Sequence, residues 1–213
     1  MATQNEAYPT KFDIDYQNKH DRLTTFVRII WSIPAVVLLS LLSGSGSENY
    51  MQDAGKSISA NGGGIMVGLS TVTGLMILCR QRYPRWWFDF ALELNRFSAR
   101  VGAYFFLLTD LYPSTVEKQA VHLDVEYPNV EQDLNRWLPL VKWLLAIPHY
   151  IVLTVLAIGA LIATIVAWFS ILFTGTYPKS LFDFVVGVGR WNLRVTAYAL
   201  LLTTDKYPPF SLS

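Results

Sequence analysis

The chain has little charge, a single cysteine and none of the short patterns that mark common catalytic centres. Asp, Glu, Lys and Arg make up 15% of its 213 residues, where a soluble domain carries about 25%. The net charge of +1 gives no field that would steer the protein to nucleic acid. Cys79 stands alone, which excludes an intramolecular disulfide and a metal site built on several thiolates. No Gly-x-Ser-x-Gly, His-Glu-x-x-His or phosphate-loop pattern occurs. Gly44-Ser45-Gly46 sits in a linker and Gly187-Val188-Gly189 inside a helical pattern, so neither reads as a nucleotide loop. No enzyme activity, cofactor or resident metal is expected. Residues 1–22 lack the basic start and apolar core of a cleavable signal, and the apolar segments themselves are expected to direct insertion.

What is abundant is apolar and aromatic. Hydrophobic residues reach 52%, and 7 Trp, 11 Tyr and 12 Phe suit side chains at a membrane–water boundary. Two apolar stretches run from Ile29 to Leu42 and from Ile65 to Cys79, and a longer one from Trp143 to Phe173 has no charged residue. As one straight helix the last would be roughly 46 Å long, against a hydrocarbon core of about 30 Å. A hairpin turning near Gly159-Ala160 is therefore expected, giving four short spans that cross fully rather than dip in from one side. The segment from Ser43 to Asn61, with Glu48, Asp53 and Lys56, reads as a flexible Gly/Ser connector. All of the 17 Lys and Arg residues except Lys56 then fall on one side. By the positive-inside rule both termini are cytoplasmic.

The chain is also written twice. Tyr83-Pro84, Phe88-Asp89-Phe90, Arg96, Arg100-Val101, Ala103-Tyr104 and Leu107-Leu108-Thr109 return as Tyr177-Pro178, Phe182-Asp183-Phe184, Arg190, Arg194-Val195, Ala197-Tyr198 and Leu201-Leu202-Thr203. Ile33-Pro34 matches Ile147-Pro148, which predicts a shared bend. Phe12-Asp13-Ile14-Asp15-Tyr16 matches Leu123-Asp124-Val125-Glu126-Tyr127, and the alternation predicts two strands pairing as a small cytoplasmic antiparallel ribbon. The expected fold is a mainly α membrane protein of two tandem pseudo-symmetric repeats, residues 7–113 and 118–209. Each repeat holds a short strand, a transmembrane helical hairpin and an amphipathic interfacial helix. On that last helix Asp89, Glu93, Arg96 and Arg100 form one stripe, matched by Asp183, Gly187, Arg190 and Arg194. The stripe is expected to face water while the apolar remainder rests on the membrane. Gly64 and Gly68, four residues apart, offer a weak helix-approach signal.

The run from Leu138-Pro139-Leu140-Val141-Lys142-Trp143 to His149, with the Tyr-Pro, Phe-Asp-Phe, Arg, Arg-Val, Ala-Tyr pattern, resembles a bacterial membrane family known as domain of unknown function 4389. The resemblance is strongest in the second copy. It implies a multi-pass protein of the bacterial inner membrane and assigns no catalytic residue.

Candidate sites follow from the residue types. Arg80, Arg82, Arg85, Arg96, Arg100, Arg190 and Arg194 suit lipid phosphates, which guanidinium groups bind in bidentate fashion. Asp89 with Arg96, and Asp183 with Arg190, are alternatively structural ion pairs. His149 is a polar group within a span and reads as structural or interfacial before it reads as a ligand; its counterpart is Ala35. His20 and His122 read as solvated. The function expected is a non-enzymatic scaffold or accessory subunit of a membrane complex, its partners being membrane lipids and a protein complex or further copies of itself. A small oligomeric transporter or channel is the alternative.

Overall fold

A computed structural model describes residues 8–43, 47–50, 58–61, 65–114, 117 and 119–213. Gly44 to Gly46, Asp53, Lys56, Gly64, Lys118 and the first residue of each expected repeat lie outside them. The elements in order are β1 (Thr10–Ile14), α1 (Arg22–Ser43), β2 (Ser47–Tyr50), β3 (Ile58–Asn61), α2 (Ile65–Arg80), α3 (Arg85–Phe105), β4 (Val121–Val125), α4 (Val130–Asp133), α5 (Pro139–Leu145), α6 (Ile147–Thr174) and α7 (Lys179–Ala199). The protein is mainly helical, and among the described residues one helix, α6, is long and apolar enough to cross a membrane, with the bent α1 a second if its two arms count as one span.

The alternation locates two pairing strands, each running two residues earlier than the segments Phe12 to Tyr16 and Leu123 to Tyr127 expected from sequence. β1 and β4 pair antiparallel, with Phe12 opposite Leu123 at the centre. Phe12, Ile14, Val121, Leu123 and Val125 are buried, while Lys11, Asp13, His122 and Asp124 face out. Phe12 and Leu123, which stand at matched positions of the sequence pattern, are thus direct partners. The helices holding the ribbon obey the same relation: α7 packs on β1 and α3 on β4. Arg190 Nε donates to the Phe12 carbonyl at 3.0 Å, and Arg96 Nε to the Leu123 carbonyl at 2.9 Å. Tyr16 donates its hydroxyl to the Tyr177 carbonyl at 2.6 Å, and Tyr127 donates to that of Tyr83.

Both matched prolines stand close to a helix interruption. α1 turns by 48° between Arg28 and Ile30, close to the residue whose carbonyl the Pro34 ring displaces. Likewise α5 ends at Leu145, just before Pro148 in the first turn of α6.

The expected hairpin at Gly159-Ala160 is not there: α6 runs unbroken for 28 residues, about 42 Å. A turn would strip partners from several backbone N–H and C=O groups within an apolar stretch that offers no replacements. Gly159 serves packing instead, since a Cβ added there would meet the Phe184 ring at 3.4 Å. Ala160, Ala163 and Ala167 continue the small-residue seam into the core. The helix ends at Gly175, whose φ of 78° is the left-handed cap that glycine adopts without strain, its N–H bonded to the Ile171 carbonyl. In the first half the corresponding run is split into α1 and α2, and the segment between them is not wholly a flexible connector. β2 and β3 pair antiparallel there, Ser47 opposite Asn61.

α7 folds back along α6. Trp191 lies against His149, Phe184 against Gly159, and Val195, Tyr198 and Ala199 cluster with Ala146 and Leu153. This pairing also changes the reading of the charged stripes, because Arg96 and Arg190 cover the ribbon rather than face open water. Arg96 pairs with Glu93 and Asp124, and Arg190 with Asp13. The pairings expected with Asp89 and Asp183 are not formed, since the strand carboxylates lie closer to the guanidinium groups than a residue two turns back on the same helix.

Candidate functional site

Two buried ion pairs occupy matching places, and sequence reasoning missed both. Arg28 and Lys142 stand equally far ahead of Pro34 and Pro148, and each is 1% exposed. Arg28 pairs with Asp110 and donates to the Thr109 carbonyl at 3.0 Å, its guanidinium 4.9 Å from the centre of the Tyr104 ring. Lys142 lies 2.7 Å from Asp205, donates to the Thr204 carbonyl at 2.7 Å, and sits 5.2 Å from the Tyr198 ring centre. Each pair ties one helix (α1 or α5) to the chain just beyond the second helix that follows it (α3 or α7). The legible signal was a Thr-Asp just ahead of a Tyr-Pro, Thr109-Asp110 before Tyr112-Pro113 and Thr204-Asp205 before Tyr207-Pro208.

Asp110 is the more heavily bonded carboxylate. It also accepts from His20 Nδ1 at 3.0 Å, Gln17 Nε2 at 2.8 Å and the Asp21 N–H at 3.0 Å. Burial pushes its carboxyl up, but the bonds from His20, Arg28 and the Asp21 amide outweigh that and hold it well below the usual carboxylate range. His20 is thus a buried member of this cluster and not a solvated histidine, because Asp110 offers it a charged partner. His122 is largely exposed and lies 3.0 Å from Asp15.

His149 is completely buried. Its Nδ1 accepts from the Trp191 indole N–H at 3.1 Å, which assigns the proton of the neutral ring to Nε2. Phe210 stacks on the ring with centroids 4.0 Å apart, and Tyr207 is 4.8 Å away. Ala35, its counterpart, is buried against Phe97 and Val101 instead. Among the described residues no group of three His, Cys, Asp or Glu side chains is arranged to hold a metal ion.

The seven arginines divide into two sets. Arg82 and Arg85 line one open groove of about 680 Å³ with Tyr127 and Glu131, and Arg85 lies 5.4 Å over the Tyr127 ring. Arg80 is exposed but outside that groove. The other four are bonded to the chain itself. Arg96 and Arg190 hold the ribbon, Arg100 donates to the Ser114 carbonyl at 2.6 Å, and Arg194 reaches the Ser211 carbonyl at 3.5 Å. In the second half the C-terminal residues replace an acid: Arg190 donates to the Leu212 carbonyl where Arg96 meets Glu93. Gly187, which stands in the place of Glu93, makes room, since a Cβ there would lie 2.9 Å from Leu212.

Two further spaces lie between the helices. A cavity of about 360 Å³ lies between α3 and α7 with Phe12 and Ile14 as its floor, lined on its two sides by matched positions such as Ser98 and Asn192. A mostly apolar cleft of about 270 Å³ opens between α1, α6 and the end of α3.

Residues 137–211, which contain α5, α6 and α7, match the model of a family described as a domain of unknown function (DUF4389). No curated protein and no solved structure matches the chain.

Proposed function

We propose that this is a non-enzymatic integral protein of a bacterial inner membrane, a scaffold or accessory subunit built of two tandem pseudo-symmetric repeats that meets lipid through its helices. One observation carries the reading: the outward face of α6 is apolar from end to end. Ile151, Val155, Ile158, Ile162, Ile165, Phe169 and Phe173 are each at least half exposed. Leu23, Phe26, Ile30 and Trp31 of α1 extend that surface. Soluble monomers rarely leave bare a contiguous apolar patch larger than a few hundred Å².

The antiparallel pairing of α6 and α7 supports insertion from one side over a vertical crossing. An upright α6 would carry the exposed Asp183 of α7 to the middle of the hydrocarbon, because its neighbour Phe184 lies against Gly159 near the centre of α6, at about 2.5–3.5 kcal/mol. A shallow α6 keeps its apolar face in lipid and leaves α7, the ribbon and both termini on the cytoplasmic side. Spin labels at Ile147, Ile151, Ile158, Ile162 and Phe173 test this. A shallow helix gives nearly constant immersion depth along the series, whereas an upright one gives a maximum in the middle. Extraction by alkaline carbonate, or purification in mild detergent as a monomer with neither protein nor lipid attached, overturns the membrane-scaffold reading itself.

The cavity between α3 and α7 favours a second reading, a small oligomeric transporter or channel, because substrate sites of duplicated transporters lie where the repeats meet. Solute uptake by reconstituted protein, lost on filling the cavity with Gly102→Leu, selects it over the scaffold.

A further inference from the structure

The cleft between α1 and α6 differs from the corresponding place in the other half in two ways, and both point to a ligand. Trp168 and Gly74 stand equally far ahead of the Tyr-Pro that opens the next helix. At Gly74 the missing side chain lets the neighbours close in: an added Cβ would find Leu202 at 3.6 Å and Pro139 at 3.8 Å. At Trp168 the indole wedges against α1, its Nε1 donating to the Thr25 carbonyl at 3.3 Å, and the cleft stays open beside it. The second difference is a spare donor. Lys142 is fully engaged by Asp205 and the Thr204 carbonyl. Arg28 makes the same two bonds and also lines the cleft, and its buried Nε has no hydrogen-bond partner.

We propose that this cleft holds one acyl chain of a glycerophospholipid drawn from the surrounding bilayer, with the ester carbonyl accepting from Arg28 Nε. The inference rests on the membrane reading above. Phe105, Leu161 and Ile165 line the cleft and are themselves part of the exposed apolar surface, so the site opens sideways onto lipid. Its volume of about 270 Å³ lies just below the range of roughly 300–1,000 Å³ for small-molecule pockets, enough for a length of one chain and not for a bulky ligand. The lining offers apolar contact along most of its length and one charged donor near Asp110, which matches a hydrocarbon chain ending in a carbonyl oxygen.

Delipidated protein in detergent, titrated with dioleoyl-phosphatidylcholine and read by native mass spectrometry, tests the site. One saturable lipid per chain is expected. Arg28→Lys keeps the pair with Asp110, as Lys142 does with Asp205, and removes only the spare donor, so binding weakens roughly tenfold, the factor for one charge-assisted hydrogen bond. Leu161→Trp fills the cleft and abolishes the bound lipid, whereas Val155→Trp, on the exposed face outside the cleft, leaves it unchanged. Equal binding to wild type and Leu161→Trp overturns the proposal, as does oleic acid binding in place of the phospholipid. Carbonate extraction of the same variants reports the membrane reading separately: protein that stays in the membrane yet retains no lipid refutes only the cleft.

Discussion

The two partners of the Lys142–Asp205 pair differ in their access to water, and that difference predicts unequal costs of removing them. Lys142 is 1% exposed and the Asp205 side chain 20%. Asp205→Ala strands a buried ammonium with one carbonyl as its remaining strong partner, the situation in which breaking a buried pair costs about 3–5 kcal/mol. Lys142→Met keeps the volume and strands one buried oxygen, Oδ1, of a carboxylate whose side chain is otherwise partly exposed, so its cost falls to about 1–3 kcal/mol, the penalty for an under-satisfied polar group. In a chain of this length 1 kcal/mol moves the midpoint by about 2–4 °C. Asp205→Ala is thus expected to lower Tm by roughly 6–20 °C, and Lys142→Met by clearly less. The measurement is a thermal melt in detergent followed by tryptophan fluorescence, with the double variant included. The double variant should recover part of the Asp205→Ala loss, because no charge is then left buried alone. A Tm for Asp205→Ala at or above that of Lys142→Met refutes the reasoning, since burial would then not set which partner is the costlier to strand.

Three further outcomes follow from the same structure. Asp110, depressed when folded, contributes stability that is complete above its unfolded value near pH 4 and is lost as pH falls towards its folded value; Tm should drop on acidification, and Asp110→Asn should flatten that slope. Gly187→Ala places a Cβ 2.9 Å from Leu212 and should destabilise by about 1–3 kcal/mol, a loss that deletion of residues 210–213 relieves if the clash is the cause. Gln81 holds a φ of 46° at the place where Gly175 caps α6; Gln81→Gly should raise stability by about 0.5–1 kcal/mol, visible as a higher melting midpoint.

The ribbon was legible because alternation of large apolar residues with acids over five positions has one simple solution, and the duplicated pattern named its partner strand. The bends were legible because proline acts on its own helix. The continuity of α6 was not: a charge-free apolar run carries no marker separating a turn from an unbroken helix, and membrane thickness was an unreliable guide for a helix that packs along α7. The ion pairs escaped for a different reason. Cations flanking apolar runs are ordinary topology signals, and the carboxylates that Arg28 and Lys142 meet lie on the far side of two helices in sequence. Arg96 and Arg190 were singled out for lipid phosphates, but they donate to strand carbonyls, and backbone acceptors leave no trace in residue identity.

The crossed grip on the ribbon constrains how the molecule can be made. β1 is held by α7 and paired with β4, so nothing in the N-terminal half completes its own sheet. A ribosome adding roughly 5–20 residues per second needs on the order of ten seconds to travel from Thr10 to Val125. Throughout that interval β1 offers a naked edge to any other nascent chain, a hazard for which its outward Lys11, Asp13 and Asp15 act as gatekeepers.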